Sequence, residues 1–251
     1  MLSLREIYTD SIRGENEAVN RILSPQTSSV QYKGDITRLW YINEEQALGN
    51  LFLNKNIGEC KQCFYRCGRI DEYEIKKYDA RILDWGTNHL LHATLSDNIP
   101  LMQRYASLSH THYAWMVERG HSTLTYAIQQ VIKEDWEKLR WCLDIMSAKK
   151  PATNKGILPD RKFFEGMIAR DRVMITEAIL ELLEAKTHKR RNKNAGIAQE
   201  YISTPALGYT KLAWLKGIEI EIDHPLIPKE LLPYNPLEKY EDKYAFLKEI
   251  G

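Results

Sequence analysis

Neither sign of charge dominates this chain. Its 251 residues carry 35 Lys and Arg against 34 Asp and Glu, a net charge of +1, so no global field recommends a nucleic-acid or membrane partner. Long apolar runs are also missing. The opening Met1-Leu2-Ser3-Leu4-Arg5-Glu6-Ile7 lacks the apolar centre of a signal peptide, and no stretch approaches the length that spans a bilayer. Cysteine is scarce. Three of the four crowd together at 60, 63 and 67, which does not suit a disulfide frame, and the cytoplasm is the expected compartment. There is no Gly-rich phosphate loop, nucleophile elbow or paired-carboxylate motif, so nothing argues for catalysis or for a cofactor.

What is present suits a soluble globular protein, with 43% hydrophobic and 27% charged residues. Six Trp and fourteen Tyr supply large buried area or a sticky surface. The length fits one large domain or two closely packed halves.

The most regular stretch runs from Leu124 to Met146. Leu124, Ala127, Ile128, Val131 and Ile132 recur at helical spacing, as do Leu139, Cys142, Leu143 and Met146. Asp135 lies between them where a helix N-cap belongs. Shifted by 36 positions, Asp135 falls on Asp171, Ile128 on Phe164, and the second stripe on Ile175, Ala178, Ile179 and Leu182. A looser copy precedes them, with Asp97 in the Asp135 role, then Leu101, Tyr105 and Leu108. One helix pair cannot bury its own apolar face, so a recurring pair predicts stacking. The expected fold is all-α: stacked antiparallel helical hairpins, repeat-like, presenting a concave face and ending in an extended Pro-rich tail.

In chain order, residues 2–23 read as a helix with an Ile12, Val19, Ile22, Leu23 stripe weakened by Gly14. Ser24–Ser29 is a loop, and Val30–Trp40 shows no period. Asn43 is the expected cap of a run through Leu48, Leu51, Cys60, Phe64 and Cys67, with a kink or close helix contact at Gly49 or Gly58. A further helix is expected within Tyr65–Asp84, then Trp85-Gly86 as punctuation and a short helix from Thr87 to Leu95. Lys149–Pro159 is expected as a loop, with helical turns over Ala195–Ile202 and Ala206–Lys216. Ile218, Ile220 and Ile222 alternate with Glu219, Glu221 and Asp223 at a strand period, but no partner segment offers itself. Pro225, Pro228, Pro233 and Pro236 then keep the chain extended, with Tyr244, Phe246 and Leu247 as a terminal anchor. The division expected is a helical region over 1–85 and a hairpin region with tail over 86–251, packed as one unit.

Several side chains invite a chemical reading. Cys60, Cys63 and Cys67 share one helix face, but a structural zinc needs four ligands and no fourth is near, so packing is preferred to metal. His89 and His92 share a face without a carboxylate at zinc-hydrolase spacing. His110-Thr111-His112 is equally bare, and His121 before Ser122 and Thr123 suits a helix cap. The basic run His188–Lys193 could meet phosphate or an acidic partner, though a solvated helix end explains it as well. Trp115, Trp136, Trp141 and Trp214 could be interface anchors, but helix packing claims most such residues. No catalytic, cofactor-binding or metal residue is assigned.

The wording of the second half resembles a known family. Ser96-Asp97-Asn98, Glu118-Arg119-Gly120-His121-Ser122-Thr123, Phe163-Phe164-Glu165-Gly166 and His188-Lys189-Arg190-Arg191-Asn192 are similar to segments of the immunity protein 49 family. So are Thr204-Pro205-Ala206-Leu207-Gly208-Tyr209-Thr210-Lys211-Leu212-Ala213-Trp214, Pro225–Pro233, Pro236-Leu237 and Tyr244–Leu247. The resemblance covers about residues 86–247 and leaves the N-terminal third unplaced. It implies a soluble, mostly helical bacterial protein of a polymorphic toxin system. Such a protein binds the toxin domain encoded by a neighbouring gene and protects the producing cell and its kin. It supplies no catalytic residues and does not fix the toxin-binding surface. The competing readings are a helical-repeat scaffold for another protein and, more remotely, a metalloenzyme built on the cysteines and a distant His.

Overall fold

The computed structural model describes residues 2–148, 151–193 and 196–250. Among these residues there are helices, turns and extended segments but no strand, in agreement with the all-α expectation. In chain order the α-helices are α1 (Leu4–Leu23), α2 (Ser29–Phe52), α3 (Ile57–Tyr78), α4 (Asn88–Leu95), α5 (Ile99–Ala106), α6 (Tyr113–Glu118), α7 (Thr123–Lys133), α8 (Trp136–Ser147), α9 (Pro151–Ala169), α10 (Arg172–Leu183), α11 (Ala185–Arg191), α12 (Ala198–Tyr201) and α13 (Thr204–Leu215). Short 3₁₀ turns occupy Ile82–Asp84, Lys229–Leu231 and Ala245–Ile250.

The first helix starts at a capping box. The Ser3 hydroxyl accepts from the Glu6 N–H, and the Glu6 carboxylate accepts from the Ser3 N–H. Its buried face is Leu4, Ser11, Gly14, Glu15 and Ala18, whereas Ile12 and Leu23 of the expected stripe are exposed. Small residues win that face because they let α2 approach. A Cβ on Gly14 would stand 3.0 Å from Arg38 Nη2.

No break occurs in α2 across Val30–Trp40, and Asn43, the expected cap, sits buried in mid-helix. Its amide donates to Leu39 O (2.7 Å) and to the Tyr244 hydroxyl (2.8 Å). The helical period is faint here because type and burial disagree: Asp35 is buried against Arg21, while Val30 is exposed. The break falls at Leu53–Asn56, where the Asn56 side chain caps α3 by accepting from the Glu59 N–H. Gly49 provides the close contact: the Tyr8 ring lies 2.0 Å from where its Cβ would be. The helix expected within Tyr65–Asp84 is the second part of α3, which ends at Tyr78. Every residue of α3 from Cys60 to Ile75 is buried.

Three hairpins follow: α4–α5, α7–α8 and α9–α10. Each turns through one residue in the left-handed region (Asp97, φ 62°; Glu134, φ 60°; Arg170, φ 52°). Each then restarts on an Asn or Asp side chain that accepts from the new helix. Asn98 accepts from Leu101 N–H, Asp135 from Lys138 N–H, and Asp171 from the N–H groups of Val173 and Met174. The Asp135 N–H donates to Gln130 O and the Asp171 N–H to Gly166 O, at 3.0 and 2.9 Å. The 36-residue correspondence therefore holds at both turns. The earlier copy is one position out of register, because Asn98 is the cap and Asp97 the left-handed residue. Buried stripes follow each cap: Leu101, Met102, Tyr105 and Ala106; Leu139, Cys142 and Met146; Ile175, Ala178, Ile179 and Leu182.

The loop expected at Lys149–Pro159 is helical from Pro151 onward, and Lys149 and Lys150 lie outside the described residues. Proline is unobjectionable at the head of a helix, so Pro151 starts α9, while Pro159 removes one N–H from the ladder within it. Of the expected Ala195–Ile202 turns, α12 covers Ala198–Tyr201 and Ala195 lies outside the described residues. α13, buried from Thr204 to Ala213, packs on both α4 and α10. Gly208 allows this approach, since a Cβ there would meet Leu91 Cβ at 2.7 Å. α13 thus joins the first of the hairpins to the last.

From Gly217 the chain crosses the helices as an extended strap. Ile218, Ile220 and Ile222 are buried and their acidic neighbours exposed, without a partner strand. Side chains supply the missing backbone partners: Trp214 Nε1–H donates to Ile220 O and Arg172 Nε–H to Glu219 O, each at 2.9 Å. Ile227, Leu231 and Leu232 are buried next, and Tyr244, Phe246 and Leu247 end the strap as the expected anchor.

Candidate functional site

The residues singled out by sequence chemistry do not converge. Cys60, Cys63 and Cys67 are free and buried. Burial pushes the Cys63 thiol up to about 12 and the other two well above their ordinary range, so they persist as thiols rather than the thiolates a metal takes. Among the described residues no three His, Cys, Asp or Glu side chains group as metal ligands would. His89 and His92 diverge from their shared helix. His89 Nδ1 is 3.0 Å from Asp71 Oδ1, while His92 stacks on Phe64, with Nε2 3.3 Å from Glu44 Oε1 but off hydrogen-bond alignment. His110 Nε2 reaches Asp84 Oδ1 at 3.2 Å, and His112 occupies the left-handed region just before α6. Ser122, not His121, holds the N-cap position of α7, and its hydroxyl donates to Asp84.

Sequence reasoning missed a charged lattice around α3. Asp97 is buried between two buried lysines, Lys61 at 2.6 Å and Lys211 at 2.5 Å. The remaining ammonium donors go to the strap: Lys61 to Asn235 O, Lys211 to Leu232 O and Pro233 O. Burial lowers the Lys211 pKa, with Asp97 opposing the shift. Two turns along α3, Arg69 joins Glu72 (2.5 Å), Asp242 (2.9 Å) and Leu247 O (2.9 Å). Glu72 also accepts from Lys76 and Arg104. Burial would raise the Glu72 carboxyl, but hydrogen bonds from Arg104 and Lys76 more than offset this and hold it below its usual range. Isolated buried charges are costly, whereas paired and fully bonded ones are tolerable. The lattice serves as a rigid frame that fastens the strap to α3.

The basic run proves to be two-sided. It forms α11, in which Arg191 turns inward to a bidentate pair with buried Asp160 (2.8 and 2.7 Å), and the Tyr209 hydroxyl donates to the same carboxylate. Lys189, Arg190 and Lys193 are left outside. Of the four tryptophans proposed as anchors, Trp136 and Trp214 are partly buried against the core, while Trp115 and Trp141 stay 49% and 40% exposed. Trp85, read as mere punctuation, is the most exposed of all at 57%.

Among the described residues the scaffold is all-helical, with Trp85, Trp115 and Trp141 and the cations Lys189, Arg190 and Lys193 on its outside. The family model for immunity protein 49 matches residues 102–231, about half the chain, and the protein belongs to that family. The matched span is narrower than the resemblance seen in the sequence, and the Tyr244–Leu247 anchor falls beyond it. No curated protein and no solved structure matches the chain.

Proposed function

We propose that this protein neutralises a secreted bacterial toxin by binding it, without catalysis or a cofactor. Its partner is the cognate toxin domain encoded by a neighbouring gene. The protein protects the producing cell and its kin from within the cytoplasm, with no nucleic acid or membrane as partner. Membership of the immunity protein 49 family carries this reading. The lattice around α3 supports it, because a frame held by buried ion pairs presents its surface with little entropy left to lose on association. Among the described residues, no helix is long and apolar enough to cross a membrane. The regions 1–85 and 86–251 act in this reading as one unit, since the strap from the second ends on helices of the first.

Co-expression with the toxin domain of the adjacent gene tests the proposal. Growth should be restored, and the two chains should co-elute as a stoichiometric complex. A toxic neighbour that this protein neither silences nor binds would sink the reading, and capture of a housekeeping complex in its place would favour a general scaffold.

A further inference from the structure

We propose that the toxin docks on the surface formed by Trp85 and the outer face of α11, and that it brings an acidic patch to that surface. This rests on the immunity reading above and adds the place and the kind of partner surface. Trp85, Asn88, Leu124, Arg190, Lys193 and Pro205 line a cleft of about 210 Å³.

The tryptophan is exposed yet firmly presented. On one side, Asp84 accepts from Arg81 Nε–H (2.7 Å) and the Ser122 hydroxyl, with His110 Nε2 at 3.2 Å. On the other, Gly86 takes a φ of 112°, open only to glycine, and its carbonyl accepts from the Thr125 hydroxyl at 3.1 Å. His89 packs edge-on to the indole at 5.6 Å and is itself held by Asp71. A rigid aromatic side chain with one face free is the kind of group that dominates binding energy when a partner covers it. Water-exposed indole that serves only packing would not need three separate restraints on its turn.

The neighbouring cations point to the sign of the partner. Arg191 is spent on Asp160, which fixes α11, but Lys189, Arg190 and Lys193 make no ion pair among the described residues. From Ala185 to Gln199 the sequence has no acidic residue at all. A partner carboxylate would meet these cations beside a pre-placed apolar ring, which gives both register and steering. A nucleic-acid strand fits less well. It needs stacked rings in series along a basic track, and here Trp85 is the single aromatic ring among the cleft's lining residues, on a chain whose net charge is +1.

Titration calorimetry against the toxin domain of the adjacent gene, at two salt concentrations, decides the matter. Trp85→Ala should weaken binding by about 30-fold or more. Arg190→Glu with Lys193→Glu should weaken it at least about tenfold and remove most of its salt dependence. Trp115→Ala, outside the cleft, should stay within about threefold of the parent. Unchanged thermal midpoints show that the variants fold. If the parent binds tightly and both cleft variants bind as well as it does, the docking surface lies elsewhere while the immunity reading stands. If the parent neither binds nor protects, both fall. Loss in the charge variant of binding to a short single-stranded RNA, with toxin binding intact, would overturn the proposal in favour of a nucleic-acid site.

Discussion

Glu44 and His92 face each other in the interior, where burial disfavours the charged form of each. Burial, helped by the nearby Glu45 charge, raises the Glu44 carboxyl to about 8, and burial lowers His92 to about 3. Burial likewise lifts Glu74 to about 7, although Thr37 donates to it at 2.7 Å. The folded chain thus keeps protons on Glu44 and Glu74 that the unfolded chain releases above pH 4.5. Their stabilisation is complete below that value and is lost as pH rises through their folded pKa values. His92 acts oppositely, losing stability as pH falls from 6.5 toward 3. Between pH 6.5 and 8 only the carboxyl losses operate, with a slope of about 1.4 kcal/mol per pH unit for each group still titrating. Thermal unfolding should therefore show a lower midpoint at pH 8 than at pH 6. Glu44→Gln should flatten that fall and be the more stable protein at pH 8; parallel profiles would show that Glu44 is ionised in the fold. Asp97 gives a second residue-scale expectation. Asp97→Asn keeps the shape but leaves the Lys61 and Lys211 ammoniums uncompensated, and should cost about 3–5 kcal/mol in urea unfolding.

At the scale of elements, the hairpins were the most legible part of the chain. Their stripes face one core and water on the other side, so the 3.6-residue period survives in the sequence. The Asp135 and Asp171 caps were legible for the same reason. Asp135→Ala and Asp171→Ala should each cost about 1 kcal/mol, measured by denaturant midpoint, and a much larger loss at only one would show that the two turns are not equivalent. The copy at Asn98 was misregistered because Asp97 is an equally plausible cap by type; only its backbone angle and its two lysines tell them apart. α3 was obscured for a different reason. A helix buried on every side has no polar face to alternate with an apolar one, and α3 fills its interior positions with Lys61, Arg69, Asp71 and Glu72, which read as surface. Trp85 was passed over because exposure belongs to the tertiary fold: the Trp-Gly step signals a turn but not which way the indole looks.

For the whole molecule, the strap decides whether the fold holds. Tyr244 donates to Glu15 of α1 and accepts from Asn43 of α2, while Asp242 and Leu247 O saturate Arg69 of α3. Removing residues 238–251 strips those partners away together and leaves Arg69 with Glu72 alone. The thermal midpoint should drop by about 6–20 °C, given about 3–5 kcal/mol for a broken buried pair and about 2–4 °C per kcal/mol at this size. A truncated chain that melts at the parental temperature would show that the strap is ornamental. The composition of the strap was legible as a pinned tail, but its binding sites were not, since they are polar and charged side chains on helices up to 229 positions away.

The contacts between Tyr244 and Glu15 span nearly the full chain. During synthesis, α3 emerges from the ribosome long before the segment that covers it, and its lysines and arginines must wait in water until then. The packing of α3 is therefore completed only after residues up to 178 positions downstream of Arg69 have been synthesised.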